Sequence, residues 1–248
     1  MNEKEILMFA EEIVKAEDKK EQIEPITNRC KISIDEAYQV QKEVIRVKER
    51  RGEKIIGKKI GLTNKVIQQA FGVNEPDYGY ITNKMLVSEV KTDELIQPRI
   101  EAEIAFFLTE DLNDANRAKI LKSVFAIPAL EIVDSRIKDW KVKIQDTIAD
   151  NASIARVVLG NKLIPIKELN LQLIGMVFKR NGKIISTGVG ANVMGNPILA
   201  LEWLIRKLAE LNDYLKAGEI VLAGSLIIPM TVNVNDTFEA EFYALGCV

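Results

Sequence analysis

The stretch Gln97-Pro-Arg-Ile-Glu-Ala-Glu-Ile-Ala-Phe-Phe-Leu108 constrains the fold more than any other part of the chain, because its length and alternation describe a core strand. Glu101, Glu103, Ala105 and Phe107 fall on one face; Ala102, Ile104, Phe106 and Leu108 fall on the other. The two acids are then neighbours, roughly 7 Å apart at their Cα atoms. If their face is buried, the pair repels itself and each carboxyl resists ionisation unless a cation lies between them. A divalent metal answers both charges.

Composition narrows what that metal could be. The sequence has no histidine, which removes every Ser-His-Asp, Cys-His and His-ligated metal scheme. Oxygen ligands remain, and they favour magnesium, manganese or calcium over zinc or copper. Acid–base work falls to Asp, Glu, Lys, Tyr or Cys. Lys plus Arg is 34 against 36 acids, a formal net charge of -2, which offers no general attraction for nucleic acid. Cys30 and Cys247 are too few for a disulfide framework or a thiolate site, which fits a reducing compartment. The first twenty residues carry acids and lysines throughout, and no apolar run is long enough to span a bilayer. These features predict a cytoplasmic protein with no membrane partner. At 248 residues, the chain is long enough for one sizeable core with or without a smaller appendage.

Helical spacing marks residues 3–20, and Ser33 with Glu36 forms a capping box for a second helix that Gly52 ends. A short helix is predicted over 64–71, capped by Thr63 or Asn64. Further helices are predicted over 115–124 and from Asn196-Pro197 to about Leu211. Residues 54–63, 126–133, 171–178, 183–186, 218–225, 230–234 and 237–242 read as strands, with Asn181-Gly182 as a hairpin turn and Asp236 as a turn between the last two. The class is mixed α/β without regular βαβ alternation: a helical portion over 1–80, then a strand-rich portion over 81–248 with inserted helices. The polar connection from Asp134 to Ser153 is longer than a turn requires and is expected to cover or line a pocket.

Glu131 is the single acid of the strand over 126–133, and it can join Glu101 and Glu103 if the two strands lie alongside. The competing reading leaves Glu101 and Glu103 in solvent; Ala105 and Phe107 on their face oppose it. Lys58 and Lys59 either decorate a surface or turn one ammonium inward beside Gly57 and Gly61. Asp77, after Pro76, is either a turn residue or the polar partner of such a lysine. No phosphate loop or dinucleotide fingerprint is present.

Five motifs in order make the pattern specific: Gly57-Lys-Lys-Ile-Gly-Leu-Thr63, Val73-Asn-Glu-Pro-Asp-Tyr-Gly79, Gln97 to Ala105, Pro128-Ala-Leu-Glu-Ile-Val-Asp-Ser-Arg136 and Asp146-Thr-Ile-Ala-Asp-Asn-Ala-Ser153. In these, and over nearly its whole length, the sequence resembles the 2-keto-4-pentenoate hydratases and the related 4-oxalocrotonate decarboxylases of the fumarylacetoacetate hydrolase superfamily. The resemblance implies a small N-terminal α/β portion and a curled mixed β-sheet roll, assembled as a homo-oligomer, with another enzyme of the same pathway as a candidate partner. It implies Glu101, Glu103 and Glu131 as ligands of Mg2+ or Mn2+, and Lys59 and Asp77 as the proton-transfer groups. The implied substrate is a small 2-keto or 2-hydroxydienoate of aromatic meta-cleavage catabolism.

Two reactions fit. Hydration of 2-hydroxypenta-2,4-dienoate to 4-hydroxy-2-oxopentanoate ranks first, because Lys-Lys-Ile-Gly and Asp139 to Asp146 look like the hydratase branch. Decarboxylation of 4-oxalocrotonate ranks second. An acylpyruvate-type carbon–carbon hydrolase lacks a His–Glu arrangement to activate water, and a non-catalytic binding module predicts no response to metal. The chain departs from the family pattern at Asn196, where His is common, and at its end, where relatives continue through another short β segment.

Overall fold

The computed structural model describes the backbone of residues 1–248 and every side chain but that of Ala70. Three helices open the chain: α1 (Glu3–Lys19), α2 (Ile26–Arg29) and α3 (Ile34–Arg50). α1 and α3 are closed at their N-termini by capping boxes, Asn2 with Glu5 and Ser33 with Glu36. Each buries one stripe, Phe9, Ala10 and Ile13 on α1 and Ala37, Val40 and Val44 on α3, where the two helices meet. β1 (Ile55–Gly61), α4 (Lys65–Ala70) and β2 (Asp77–Thr82) follow, with Asn64 as the cap of α4.

The centre of the molecule is β3 (Arg99–Leu108) paired antiparallel with β4 (Val124–Val133) along their whole length, with α5 (Arg117–Ser123) between them in sequence. α6 (Ile144–Ala149), β5 (Ile154–Leu159) and β6 (Ile164–Pro165) come next. β7 (Gly175–Arg180) and β8 (Lys183–Val189) form the hairpin expected at Asn181-Gly182, where both residues take positive φ, 53° and 75°. After α7 (Pro197–Glu210) come β9 (Ile220–Ser225), β10 (Met230–Thr231), β11 (Phe238–Phe242) and β12 (Gly246–Cys247).

A large curled sheet runs β2-β1-β9-β3-β4-β5, with β10 on β3 and β6 on β4. Only the β1–β9 pairing is parallel within it. A second sheet, β12-β11-β7-β8, lays β11 and β12 against β4. This is the mixed α/β roll with a small N-terminal α/β region. Residue 80 falls inside β2, so β1 and β2 are strands of the same sheet as β3 and β4.

Two local expectations change. The run 230–234 keeps only Met230–Thr231 as strand, and Asp236 turns the chain from the large sheet to the small one. The reason is local: Asp236 accepts from the Asn233 amide at 2.9 Å and from Asn181 Nδ2 at 3.1 Å, and pairs with Arg180, so the turn is fastened to the β7–β8 hairpin. The last residues are themselves paired: β12 lies on β11, and beyond it Val248 exchanges both backbone bonds with Ala240. Among the described residues, no helix is long and apolar enough to cross a membrane.

Candidate active site

Alternation along β3 does what the sequence requires of it. Ala102, Ile104, Phe106 and Leu108 enter the main core, whereas Ala105 and Phe107 join a smaller apolar cluster with Ile127, Ala129 and Leu222 on the opposite face. Glu101 and Glu103 share that second face and so are not on a solvated side. Glu131 stands directly across from Glu101 in the β3–β4 register, and Ala129 lies across from Glu103. Carboxylate oxygens of the three glutamates lie within 4.8 Å of one another. The Gly224 amide donates to Glu103 Oε2 at 2.8 Å and fixes that side chain.

β1 delivers the cation. Lys59 Nζ stands 3.1 Å from Glu131 Oε1 and donates to the Ala152 carbonyl at 3.2 Å. Its neighbour Lys58 points the other way and pairs with Glu219 at 3.2 Å, so neither lysine is a surface residue. β2 brings Asp77 opposite Gly61 in register. A Cβ at Gly61 would fall 2.2 Å from Asp77 Oδ1, so only glycine leaves room for that carboxyl. Both oxygens of Asp77, like both of Glu131, are buried without a hydrogen-bonding donor among the described residues. A buried acid without a donor is costly in a native fold and marks a place where something else binds.

Lys59, Asp77 and the glutamates other than Glu131, which lies buried behind them, open on a cavity of about 670 Å³. Lys59, Asp77, Glu101 and Glu103 line it with Ser153 and Arg99, while Val66, Ile67, Phe71, Val142 and Ile228 supply apolar wall. The connection 134–153 contributes Trp140, Val142, Thr147, Ala152 and Ser153. Most of its acids serve the fold instead: Asp134 accepts from the amides of Ile96 and Gln97, and Asp146 from Thr27. Trp140, Ala152 and Ser153 thus bear out the expectation that this connection lines a pocket, whereas Arg99 is a lining residue that sequence reasoning missed. For Arg99 the signal was available, since the alternation that aligns Glu101 with Glu103 also aligns Arg99.

Electrostatics follow from burial. Desolvation, and then Glu131, push Glu101 up to about 8, and the same two causes followed by Glu101 hold Glu103 well above the carboxylate range. Burial raises Asp77 to about 6 although Lys59 opposes it. For Lys59, burial alone favours the neutral amine, but Glu131, Glu101, Asp77 and Glu103 together outweigh it and keep the ammonium charged. Buried together, Glu101 and Glu103 resist ionisation because with Glu131 they would carry more negative charge than Lys59 offsets, and the distances among the oxygens of the three suit one divalent cation.

A stability test follows directly. An acid whose folded pKa is raised holds its proton more tightly folded than unfolded, so its stabilising contribution is complete below the ordinary value of 4.5 and is lost as pH rises toward about 8. In chelator, the melting temperature is expected to fall over that window, and added Mg2+ or Mn2+ to raise it more at the alkaline end. A chelator-treated protein whose melting temperature is flat or rising there would show that the acids ionise without cost.

The family model described as the fumarylacetoacetate (FAA) hydrolase C-terminal region matches residues 68–248. The chain belongs to the fumarylacetoacetate hydrolase family. Within that family it falls in the 2-keto-4-pentenoate hydratase and 4-oxalocrotonate decarboxylase group, and it is a lyase. It is 40% identical to 2-keto-4-pentenoate hydratase of Paraburkholderia xenovorans (strain LB400) over 223 residues, 88% of this chain and 83% of that protein. Identity to 2-oxo-hept-4-ene-1,7-dioate hydratase of Escherichia coli is 37%, covering 97% and 95% of the two chains. The solved structure of 4-oxalocrotonate decarboxylase from Pseudomonas putida G7, complexed with magnesium and adipate, superposes with a TM-score of 0.96 at 31% identity, over 100% of this chain and 97% of that one.

Proposed function

We propose that this family member converts 2-oxo-3-enoates and their 2-hydroxydienoate tautomers, with Glu101, Glu103 and Glu131 as ligands of Mg2+ or Mn2+ and with Lys59 and Asp77 moving protons. One observation carries the reading: a single cavity is lined both by the carboxylates of Glu101, Glu103 and Asp77 with the Lys59 ammonium and by apolar wall from Val66, Ile67, Phe71, Val142 and Ile228. A divalent cation held by the three carboxylates supplies a Lewis acid for the oxygen end of a keto acid. Lys59 sets an ammonium beside the same oxygens, where negative charge develops as the dienolate forms. Asp77, with a pKa near the working range, gives or takes a proton along the carbon chain. Once the three glutamates are offset by Lys59 and one divalent ion, Arg99 is the remaining cation in the wall. It stacks on the Trp140 ring at 4.4 Å and lines the cavity, which leaves its guanidinium for a substrate carboxylate.

Decarboxylation of a 2-oxo-3-enedioate such as 4-oxalocrotonate is the finer reading that these walls support best. The bond between carbon 5 and the distal carboxylate breaks, its electron pair moves along the conjugated chain to the 2-oxygen, and carbon dioxide leaves; protonation then gives 2-hydroxypenta-2,4-dienoate. A carboxylate carried into an apolar wall loses hydration that neutral carbon dioxide does not need, and no activated water is required. The whole-length likeness to the Pseudomonas putida decarboxylase supports this reading, which reverses the order suggested by the sequence. Hydration to 4-hydroxy-2-oxopentanoate is the second reading, supported by the 40% identity to a protein named for that activity.

A homo-oligomer belongs to the same proposal, with largely exposed Leu173, Ile184 and Tyr243 at the small sheet as surface that a second copy would cover. The test of function is product identification with Mg2+- or Mn2+-loaded protein. Carbon dioxide from 4-oxalocrotonate is the expected result. Formation of 4-hydroxy-2-oxopentanoate from 2-hydroxypenta-2,4-dienoate alone would transfer the assignment to hydration, and inertness toward both substrates with both metals would reject the lyase chemistry proposed.

A further inference from the structure

Three consecutive residues, Asn151, Ala152 and Ser153, the last two lining the cavity, have left-handed backbone, with φ of 53°, 51° and 56°. None is glycine, and left-handed backbone is disfavoured for any residue with a Cβ, so the surroundings must impose the turn. They do so from two sides. Asn151 clamps the edge of β2, accepting from the Tyr80 amide at 2.8 Å and donating to the Tyr80 carbonyl at 2.9 Å. Gly79 makes room beneath it, since a Cβ there would lie 2.6 Å from the Asn151 carbonyl oxygen. From the other side, Asp150 is fully buried against Arg136, with Nε to Oδ1 at 2.5 Å. Asp150 also accepts from the hydroxyls of Ser153 at 3.0 Å and Ser135 at 3.2 Å. Arg136 donates onward to the carbonyls of Asp134, Asp150 and Ile154, so its guanidinium ties both ends of the turn to the end of β4.

The turn presents the Ala152 carbonyl to Lys59, and this is the one hydrogen bond that Lys59 Nζ makes among the described residues. We propose that the buried Asp150–Arg136 pair is a positioning device for the reaction: it holds the 151–153 turn in its strained form so that the Ala152 carbonyl fixes the Lys59 ammonium beside Glu131. Lys59 approaches Glu131 closely but without hydrogen-bonding geometry, so the carbonyl, not the carboxylate, sets the direction of its N–H bonds. Released from the carbonyl, a four-carbon side chain keeps its charge in the site and loses its aim. Turnover then suffers more than binding. The inference rests on Lys59 being a reacting group, as proposed above.

Asp150→Asn weakens the clamp, and Gly79→Ala displaces the same turn while leaving the ion pair intact. Each is expected to lower kcat by about 10- to 100-fold, with KM and Mn2+ affinity within about 3-fold, because misaim and not lost charge is the defect. Asp146→Asn removes an equally buried carboxylate that serves Thr27, and it is expected to lower the melting temperature without changing kcat per folded protein. The deciding measurement is a double-mutant cycle with Lys59→Met: in that background neither variant should lower residual kcat by more than about 3-fold. Additive losses, or unchanged kcat in folded Asp150→Asn, would overturn the positioning role. If Asp150→Asn does not fold, Arg136→Lys, which keeps the charge but loses the fork to the carbonyls of Asp134, Asp150 and Ile154, takes its place in the cycle. Full activity of Lys59→Met would instead sink the reading of Lys59, and this inference with it.

Discussion

Glu131→Gln is expected to lower kcat/KM on the order of 10³-fold or more and to weaken Mn2+ binding by at least about 30-fold, because it removes the charge of one of the three proposed metal ligands while keeping its shape. Glu131 is the member of the three that is fully excluded from solvent, with neither oxygen accepting a hydrogen bond. Glu103, by contrast, is held by the Gly224 amide, and Glu101 is partly open to the cavity. Glu131 is also the carboxylate nearest Lys59, so its neutral amide leaves the ammonium facing a less negative site. The two losses share a residue and should appear together in one titration series: Mn2+ affinity from the free-ion electron paramagnetic resonance signal, and turnover at saturating metal. If metal affinity and rate were both close to those of the parent, the three-glutamate metal site would be rejected and the ligands would have to be sought elsewhere in the cavity.

The placement of that site was legible because strand periodicity is a strong constraint. One ten-residue alternation located Glu101 and Glu103, and one apolar strand with a single acid located Glu131; the full antiparallel register of β3 with β4 then brings the three together. Helix ends were equally readable, since Ser33 with Glu36, Asn64 and Asn196-Pro197 each act through a local hydrogen bond. Long-range partnerships were not. Nothing local in Lys58-Lys59 tells which lysine faces the acids; that depends on β9 lying between β1 and β3, with a register shift between Glu103 and Ala105. The turn at 151–153 was hidden for a related reason. Asn-Ala-Ser is an ordinary loop sequence, and its strained backbone exists only because Arg136, Asp150, Gly79 and Tyr80, spread over more than seventy residues of sequence, close on it. The last strands show the same limit: the alternation in 230–242 suggests two neighbouring strands, while the tie of Asp236 to the β7–β8 hairpin sends them to different sheets.

Asp77→Asn should separate activity from stability in opposite directions. Asp77 is 1% exposed, faces the cavity, and offers two carboxyl oxygens that no described donor satisfies. Its pKa of about 6, against an ordinary 3.8, means that the folded protein binds this proton more tightly than the unfolded chain. The sign is therefore a stabilising contribution complete below 3.8 and lost as pH rises through about 6, so ionised Asp77 burdens the metal-free fold at pH 7.5 by up to about 3 kcal/mol. Asparagine carries no charge and nearly the same volume, and the metal-free variant is expected to melt higher than the parent at pH 7.5, with the difference vanishing near pH 4. Turnover should move the other way, falling by about 10²- to 10⁴-fold, the range for loss of a proton-transfer group, with Mn2+ affinity changed by less than about 5-fold. A group kept at a cost to the fold and needed for the rate is the pattern of a catalytic carboxyl. If the variant were instead less stable than the parent at pH 7.5 and nearly as active, Asp77 would be a packing residue of β2, and proton transfer would have to be assigned to Lys59 alone.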